Sequence, residues 1–420
     1  MVKGFGLFRS GLAGGLADQA VVSLGNFGLN ILLARTFSVN EYGVYSIILS
    51  FILFLNTLHQ ALITYPLSVR GAPAEKPRYD YLICVAAVLT PLGALICFPV
   101  LGAAVFSVKH ISLLPVACCA LLAWQLQEVN RRGALARARY AAAIASDIIR
   151  YFGTLGVVIA LSASLTIERV FVVLIASSIL AAWPIVTSVS RNFLSVAEGI
   201  RQEIGIHWRM AAPLLGASLL VAFSTQWFLW LLAWKQGPAG SAILVALANV
   251  AAISSPIMFG VENIMVPEIA RLRASLTFPD LMSLLRHRGL ACAALAGPLF
   301  LFIVIFPDTL LRLFYGHAAP YAQYTEALRI LTGAYACYLA STILGAALRG
   351  YGASETVFKM QLYPALLGIT LGSWLTWQFG VVGACTASLL AGLLRAGTGL
   401  YFVMRLRELT IPASNAIVAS

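Results

Sequence analysis

The feature that most constrains this chain is a succession of continuous apolar runs, each about 20 residues long and bounded by charged residues or by Gly and Pro. A helix of about 20 apolar residues spans the hydrocarbon core of a bilayer, whereas barrel strands alternate over about ten residues. Of the 420 residues, 60% are hydrophobic and 10% are charged, against about 25% charged in soluble domains. The chain is therefore predicted to be an all-α integral membrane protein, not a soluble, disordered or fibrous one.

The runs predict twelve transmembrane helices. They lie at about 14–36, 42–66, 81–107, 111–130, 143–163, 167–190, 211–235, 240–266, 289–314, 326–348, 357–377 and 380–404. This division leaves about 35 residues for each helix and its loop, so no sizeable soluble domain fits.

The basic residues predict the orientation of these helices. With both termini placed in the cytoplasm, 20 of the 28 Lys and Arg fall in cytoplasmic loops and six fall outside, while Arg150 and Arg395 lie within spans. This bias follows the positive-inside rule. The net charge of +12 is therefore loop charge, and no basic stripe with interleaved aromatics predicts nucleic-acid binding. The seven cysteines fall inside apolar runs and form neither a disulfide framework nor a metal-ligand spacing.

The midpoint of the chain carries an amphipathic segment at 191–210, predicted to be a cytoplasmic interfacial connector. Its apolar residues fall within a stripe of about 120° on a helical wheel; they are Phe193, Val196, Ala197, Ile200, Ile204 and Trp208. The connector separates an N-terminal six-helix lobe at 1–190 from a C-terminal six-helix lobe at 211–420. Two six-helix repeats of the same orientation are a common transporter plan.

Several short patterns resemble polysaccharide transporters of the Wzx type, in the multidrug/oligosaccharidyl-lipid/polysaccharide exporter superfamily. They are Ala17, Asp18, Gln19, Ala20, Ser23, Asn26 and Phe27; Ala34 and Arg35; Glu41, Tyr42, Gly43 and Tyr45; Arg131, Arg132 and Arg139; Leu348 to Gly352; and Phe379 to Ala384. The resemblance covers essentially the whole chain. The chain differs from the fourteen-helix lipid II flippases of the superfamily, because its length leaves no room for an extra helix pair.

The resemblance implies a MATE-like arrangement of two lobes around a central cavity, in the bacterial inner (plasma) membrane. It implies a flippase that moves an undecaprenyl-diphosphate-linked oligosaccharide to the outer leaflet by alternating access, for exopolysaccharide or O-antigen synthesis. The expected partners are this lipid-linked oligosaccharide, membrane lipid, and polysaccharide polymerase and export proteins.

Polar residues within the predicted spans are the candidate substrate-cavity residues, because polar groups in a bilayer are expensive to bury. In the first helix Gln19, Asn26 and Asn30 share, with Ser23, an arc of about 60°, and Asp18 lies about 80° from its edge. In the second helix His59 and Gln60 share, with Asn56, an arc of about 100°. Such arcs suit a cavity wall that hydrogen-bonds sugar hydroxyls, and they equally suit hydrogen bonds between packed helices.

Four further helices supply the remaining candidates. Asp147 and Arg150 are spaced i, i+3 in the fifth helix, which allows either an internal ion pair or a diphosphate site at the guanidinium. Arg395 lies on a small-residue stripe of the last helix and is expected to hold phosphate together with Arg150. Gln226 and Asn249 lie mid-span in the seventh and eighth helices. Glu128 and Glu262 lie near cytoplasmic ends, where snorkelling or pairing with a nearby Arg is the default interpretation.

Two other functions remain open. An ion-coupled small-molecule (multidrug) antiporter of the same superfamily needs unpaired acids within a lobe, and only Asp18 and Asp147 qualify. A membrane-embedded transferase or polymerase is disfavoured, since the sequence has no P-loop, nucleophile elbow, zinc-type His/Cys spacing or large outside loop. We therefore expect no enzymatic activity, no cofactor and no metal.

Overall fold

The structure is a computed structural model that describes residues 2–273, 276–317 and 319–409. All regular secondary structure in these residues is helical, and every predicted span lies mostly in helical segments. The helices are α1 (Val2–Thr36), α2 (Val39–His59), α3 (Tyr65–Gly71), α4 (Lys76–Ser107), α5 (Leu114–Ala136), α6 (Tyr140–Asp147), α7 (Gly153–Ala160), α8 (Ile167–Ala182), α9 (Ile185–Gln236), α10 (Pro238–Ala251), α11 (Ser255–Leu272), α12 (Phe278–Ile305), α13 (Pro307–Tyr315), α14 (Thr325–Gly350), α15 (Ser354–Leu367) and α16 (Ser373–Leu409).

Short 3-10 and π segments join or interrupt these helices. The 3-10 segments are Ile111–Leu113, Ser162–Ser164, Ala252–Ser254 and Pro320–Tyr324, and the π segments are Gln60–Thr64, Ile148–Phe152 and Gly368–Gly372. Two helix starts carry a capping box, at Ser38 with Glu41 and at Thr277 with Asp280, in which each pair exchanges side-chain and backbone hydrogen bonds.

Eight helical stretches of the described residues are long and apolar enough to cross a membrane. They are Val39–Gly71, Lys76–Ser107, Ile111–Ala136, Tyr140–Ala160, Pro238–Leu272, Phe278–Ile305, Pro320–Gly350 and Glu355–Leu406. The last stretch contains two predicted spans, separated by a non-helical Gly380. The predicted all-α, multi-pass membrane architecture is thus confirmed. The predicted cytoplasmic termini involve Met1 and residues 410–420, which lie outside the described residues.

The chain divides into two compact units. The first contains Met1–Ala246 with Phe314–Ala319, and the second contains Leu247–Leu313 with Pro320–Ser420. In the first unit a core forms around Leu82, Val85 and Val129; in the second, a core forms around Met265, Leu281 and Val403. The predicted lobes at 1–190 and 211–420 stay a prediction, and the contacts group residues 211–246 with the first unit.

The connector residues 191–210 lie inside α9. Val196 is fully buried in the core of the first unit, and Glu203 and His207 are also buried. The apolar Phe193 and Trp208 remain about half exposed. The connector therefore has a buried face that includes polar residues and a separate exposed apolar face, whereas the sequence predicts a single apolar stripe.

Glu203 and His207 hold this buried face against the end of the second predicted span. Arg70 donates to both carboxylate oxygens of Glu203, at 2.6 and 3.1 Å. His207 Nδ1 donates to the carbonyl oxygen of Leu62 at 3.0 Å. In a regular helix that carbonyl would accept from residue 66, but Pro66 has no N–H. His207 thus supplies this carbonyl, which lies in the π segment Gln60–Thr64, with a donor from another helix.

The Arg70–Glu203 pair predicts how the connector responds to pH. Burial raises the pKa of Glu203, but the hydrogen bonds and charge of Arg70, with the charge of Arg78, outweigh burial and lower it. A lowered pKa stabilises the fold above the ordinary Glu pKa of about 4.3, and this contribution is lost as the pH falls through the lowered value. We expect Glu203→Gln to lower the thermal midpoint at pH 7, and the difference from the wild type to shrink as the pH falls below about 4.

Scanning fluorimetry at pH 3.5 to 8 measures this difference. Glu198→Gln is the control, because Glu198 is exposed on the same connector. Equal thermal midpoints for Glu203→Gln and Glu198→Gln at pH 7 would contradict a stabilising role of the Arg70–Glu203 pair.

Gly380 and Gly383 shape the kink that divides the last long apolar stretch. Gly380 has φ 60° and ψ −132°, a conformation that only glycine adopts readily. A Cβ at Gly383 would lie 2.0 Å from the carbonyl oxygen of Leu375, so the backbone after the kink contacts the backbone before it. The two glycines let the chain turn between the last two predicted spans.

We expect Gly383→Ala to lower the stability of the protein by about 1–3 kcal/mol, since the added methyl overlaps a backbone oxygen that cannot move alone. Gly397→Ala is the matched control, because a Cβ at Gly397 meets nothing within 4 Å in the same helix. Thermal midpoints of the two variants in the same detergent make the comparison, and a Gly383→Ala midpoint equal to that of Gly397→Ala would refute the close contact.

Candidate functional site

Arg131 lies at the centre of a buried charge network in the first unit. Its three nitrogens reach three different carboxylates: Nε donates to Asp147 Oδ2 at 2.6 Å, Nη1 to Glu128 Oε1 at 3.3 Å, and Nη2 to Asp18 Oδ2. Arg132 Nε also donates to Glu128, at 2.6 Å. One guanidinium thus joins helices α1, α5 and α6.

The network is deeply buried, which determines its energetics. Asp18, Asp147 and Arg131 are 1%, 0% and 6% exposed. An ion removed from water without a partner costs several kcal/mol, and a pair recovers this only with good geometry and complete hydrogen bonding. Here every guanidinium nitrogen of Arg131 has a carboxylate acceptor, so its charge is fully paired.

Gln127 connects this network to Arg150. Its Nε2 donates to Asp147 Oδ1 at 3.0 Å and to Ser146 Oγ at 3.1 Å, while its Oε1 accepts from Arg150 Nη1 at 3.1 Å. The amide therefore uses both its donor and its acceptor side. With Arg150 included, three arginines balance three carboxylates in the combined network.

Arg150 is held by aromatic rings. Its guanidinium carbon lies 3.7 Å from the ring centroid of Trp124 and 4.5 Å from that of Tyr151, whose hydroxyl accepts from Nη1 at 2.9 Å. Such cation–π contacts strengthen when water is excluded, and Arg150 is 2% exposed. Its Nε has no hydrogen-bond partner in the structure. Arg150 is thus a fixed, buried cation whose Nε donor is unused.

A π turn and close glycine contacts position these side chains. Arg150 lies in the π segment Ile148–Phe152, which follows α6 directly. A Cβ at Gly25 of α1 would lie 2.5 Å from Cβ of Tyr151, so only glycine allows α1 this close. π turns occur frequently at functional sites. Of the two alternatives that the i, i+3 spacing leaves open, the internal Asp147–Arg150 ion pair does not form. Asp147 pairs with Arg131 instead, and Arg150, in the wider π turn, lies against Trp124 and Gln127.

The polar residues of the first helix separate into two groups. Gln19 Nε2 lies 3.5 Å from Asp18 Oδ2, at the edge of the charge network. Further along α1, Asn30 accepts from the hydroxyl of Tyr42 at 3.1 Å and donates to the backbone oxygen of Asn26 at 2.9 Å. Asn30 therefore bridges α1 and α2.

The predicted polar arc of the second helix is divided as well. His59 shares a hydrogen bond of 3.0 Å with Thr90, and both are buried. Asn56 is 8% exposed, and neither polar atom of its amide has a hydrogen-bond partner. Gln60 is exposed, at the start of the π segment Gln60–Thr64.

The remaining candidates lie outside the charge network. Arg395 is half-buried in α16, its guanidinium carbon lies 5.5 Å from the ring centroid of Tyr338, and its Nε has no partner. Gln226 and Asn249 are half-buried in α9 and α10. Arg150 belongs to the first unit and Arg395 to the second, so a shared phosphate role for the two stays a prediction. Among the described residues, no group of three or more His, Cys, Asp and Glu could hold a metal ion.

Solved structures with the same fold include multidrug transporters and a lipid flippase. An inward-facing multidrug resistance MATE family transporter of the MOP superfamily superposes with a TM-score of 0.76 at 11% identity, covering 95% of this chain and 99% of that one. The lipid II flippase MurJ, in an inward closed conformation, superposes with a TM-score of 0.71 at 14% identity, covering 93% and 87%. The MATE multidrug transporter DinF-BH in complex with R6G gives 0.66 at 14% identity, covering 96% of each chain.

The chain has the fold shared by MATE transporters and MurJ. This confirms the MATE-like fold expected from the sequence. No protein-family model and no curated protein sequence matches the chain, so these structural likenesses show the fold alone.

Arg131 and Gln127 are the site residues that sequence reasoning missed. The predicted span at 111–130 leaves Arg131 in the cytoplasmic loop that follows, but α5 continues to Ala136 and places the Arg131 side chain inside the unit. The available signal was the run of Gln127, Glu128, Arg131 and Arg132, whose i, i+3 and i, i+4 spacings put opposite charges on one helix face. The prediction that Glu128 pairs with a nearby Arg agrees with its bonds to Arg131 and Arg132.

We expect Arg131→Gln to destabilise the protein by about 3–5 kcal/mol, because it leaves buried carboxylates without their counter-charge. Arg132→Gln is the matched control: Arg132 neighbours Arg131 and bonds to the same Glu128, but its side chain is 39% exposed. We expect it to cost about 1 kcal/mol or less. Thermal unfolding of the purified variants measures both changes, and similar losses would show that Arg131 does not hold the network together.

Proposed function

We propose that this protein is a transporter of the MOP superfamily that flips a lipid-diphosphate-linked oligosaccharide, such as an undecaprenyl-diphosphate glycan, from the cytoplasmic to the outer leaflet of a bacterial inner membrane. The glycan would serve exopolysaccharide or O-antigen synthesis, with polymerase and export proteins acting after it. The observation that carries the proposal is the buried Arg150, fixed between Trp124 and Tyr151 with its Nε lacking a hydrogen-bond partner.

The chemistry of Arg150 supports a diphosphate ligand. A planar guanidinium binds phosphate oxygens with two parallel hydrogen bonds, and it is more weakly hydrated than an ammonium group. The aromatic rings and Gln127 fix the side chain before any ligand arrives. A preordered cation binds an anion without the entropy loss of ordering a flexible side chain.

An aromatic cluster in the first unit supports a sugar ligand. The Trp230 ring stacks on Phe51 at 4.4 Å between centroids, and Phe223 stacks on Trp227 at 4.9 Å. Trp230 Nε1 donates to Ser50 Oγ at 2.8 Å, so its polar atom is satisfied within the protein. All four residues are half-buried, so part of the apolar surface of the cluster is accessible to the C–H face of a pyranose.

The pairing of the acids favours the flippase over the cation antiporter. Asp18, Glu128 and Asp147 each bond to an arginine, so the network offers no unpaired carboxylate to a cationic compound. One observation favours the antiporter: Asp18 Oδ1 is buried and has no hydrogen-bond partner. The structural neighbours include a lipid II flippase and a multidrug transporter, as their descriptions say.

The test uses purified protein in proteoliposomes with a fluorescent lipid-diphosphate oligosaccharide. A membrane-impermeant quencher reaches only the outer leaflet of the vesicle, so flipping removes the protected half of the signal. We expect wild-type protein to abolish protection, and Arg150→Lys to slow flipping at least about ten-fold, because lysine retains the charge but not the planar fork. Parallel vesicles with a cationic dye and a proton or sodium gradient test the antiporter.

Arg169→Gln is the control variant, since Arg169 is exposed and bonds to the backbone of Ser164. We expect it to flip at the wild-type rate. Flipping rates are compared only between proteins whose thermal midpoints of unfolding are equal. Dye transport without lipid flipping would replace the flippase with the antiporter, and full flipping by Arg150→Lys would remove Arg150 from the diphosphate site.

A further inference from the structure

A pocket of about 460 Å³ opens in the second unit, where α11 ends and α12 begins. Its apolar side is formed by Leu272, Leu276, Leu284 and Ala291. Its polar side is formed by Asp280, Ser283, His287 and Arg288. The α12 residues repeat at helical spacing, so one face of that helix forms a wall with polar groups towards its start and an apolar end at Ala291.

The rim of the pocket carries an excess of positive charge. Arg271, Arg273 and Arg286 are exposed on the same two helix ends as Arg288. Their acidic neighbours are Glu268, which binds Arg288 at 2.8 and 3.0 Å, and Asp280, which is engaged with Thr277 in the helix cap. These two helix ends therefore carry four guanidiniums against two carboxylates. Arg288 is the one that lines the pocket, and Arg273 also donates to the carbonyl oxygen of Tyr351 at 3.1 Å.

The helix that forms the wall is exposed along its apolar length. Only 17% of the apolar window of α12 is buried within the protein, and Leu290, Leu295 and Leu301 are each about 60% exposed. Such a surface faces acyl chains when the helix spans a bilayer. The loop beside the pocket is one of those predicted to be cytoplasmic, at the depth of the inner-leaflet headgroups.

We propose that this pocket binds an anionic phospholipid of the cytoplasmic leaflet. Its acyl chains would lie along the leucines and Ala291, and its phosphate would lie against Arg288, His287 and the neighbouring arginines. A soluble anion would gain nothing from the apolar side, and a zwitterionic lipid would gain little from the net positive rim. Basic pockets between helices at the cytoplasmic surface are suited to acidic headgroups.

The test is a lipid titration of the purified full-length protein in detergent, with native mass spectrometry of the bound fraction. The probes are phosphatidylglycerol and phosphatidylcholine with identical acyl chains. We expect the wild type to prefer phosphatidylglycerol, and Arg288→Gln to weaken that binding about five-fold, the effect of one basic group at a membrane surface. We expect Ala291→Phe, which fills the apolar side and leaves every charge in place, to weaken it at least as much.

Each variant has a matched control. Arg312→Gln tests general charge, because Arg312 is 44% exposed and paired at 2.8 Å with Asp308, much as Arg288 is 45% exposed and paired with Glu268. Ala293→Phe tests added bulk at an exposed position on the opposite face of α12. Equal binding of the two lipids, or losses in the pocket variants no greater than in their controls, would overturn the proposal. Because the readout is binding, it is independent of what the protein transports.

Discussion

The first unit depends on a charge that a membrane helix cannot leave unpaired. Arg131 lies in an apolar stretch and binds Asp18, Glu128 and Asp147, which come from α1, α5 and α6. Removing an ion from water is so costly that each of these groups is stable inside the unit only while the others remain in place. The positions of three helices are therefore specified by hydrogen-bond geometry in addition to apolar packing, which by itself discriminates weakly between arrangements in a lipid environment.

The same constraint explains the irregular backbone beside the network. A regular helix would put Asp147 and Arg150 on one face, where they would bond to each other. The π segment Ile148–Phe152 widens the turn and directs Arg150 to Trp124 and Gln127 instead. The carboxylate then remains with Arg131, and Arg150 keeps a donor outside the network. A local backbone irregularity thus separates a structural ion pair from a candidate ligand-binding cation.

The sequence predicts the helices well because the requirement of a bilayer is strict and local: about 20 apolar residues must run without charge. It predicts Asp18, Asp147 and Arg150 as polar residues of interest by the same rule. It fails at Arg131, because a charge near the end of a span can either reach water or turn inward, and the choice depends on partners from α1 and α6. It also fails at the connector, where Glu203 is buried because Arg70 lies opposite it. Tertiary partners, not periodicity, decide such positions.

The fold alone cannot separate the two candidate functions, since multidrug transporters and a lipid flippase share it at 11–14% identity. Charge pairing provides a sharper argument. A carboxylate that binds a cationic compound must be able to exchange it for a proton or a metal ion. A carboxylate that is already paired with a guanidinium attracts a second cation much less strongly. In this chain the paired acids fix the protein, and the aromatic-flanked Arg150 keeps an unbonded donor. The charges of the network balance, so the unbonded Arg150 donor, and not a net charge, is the reason we propose an anionic, phosphate-bearing ligand.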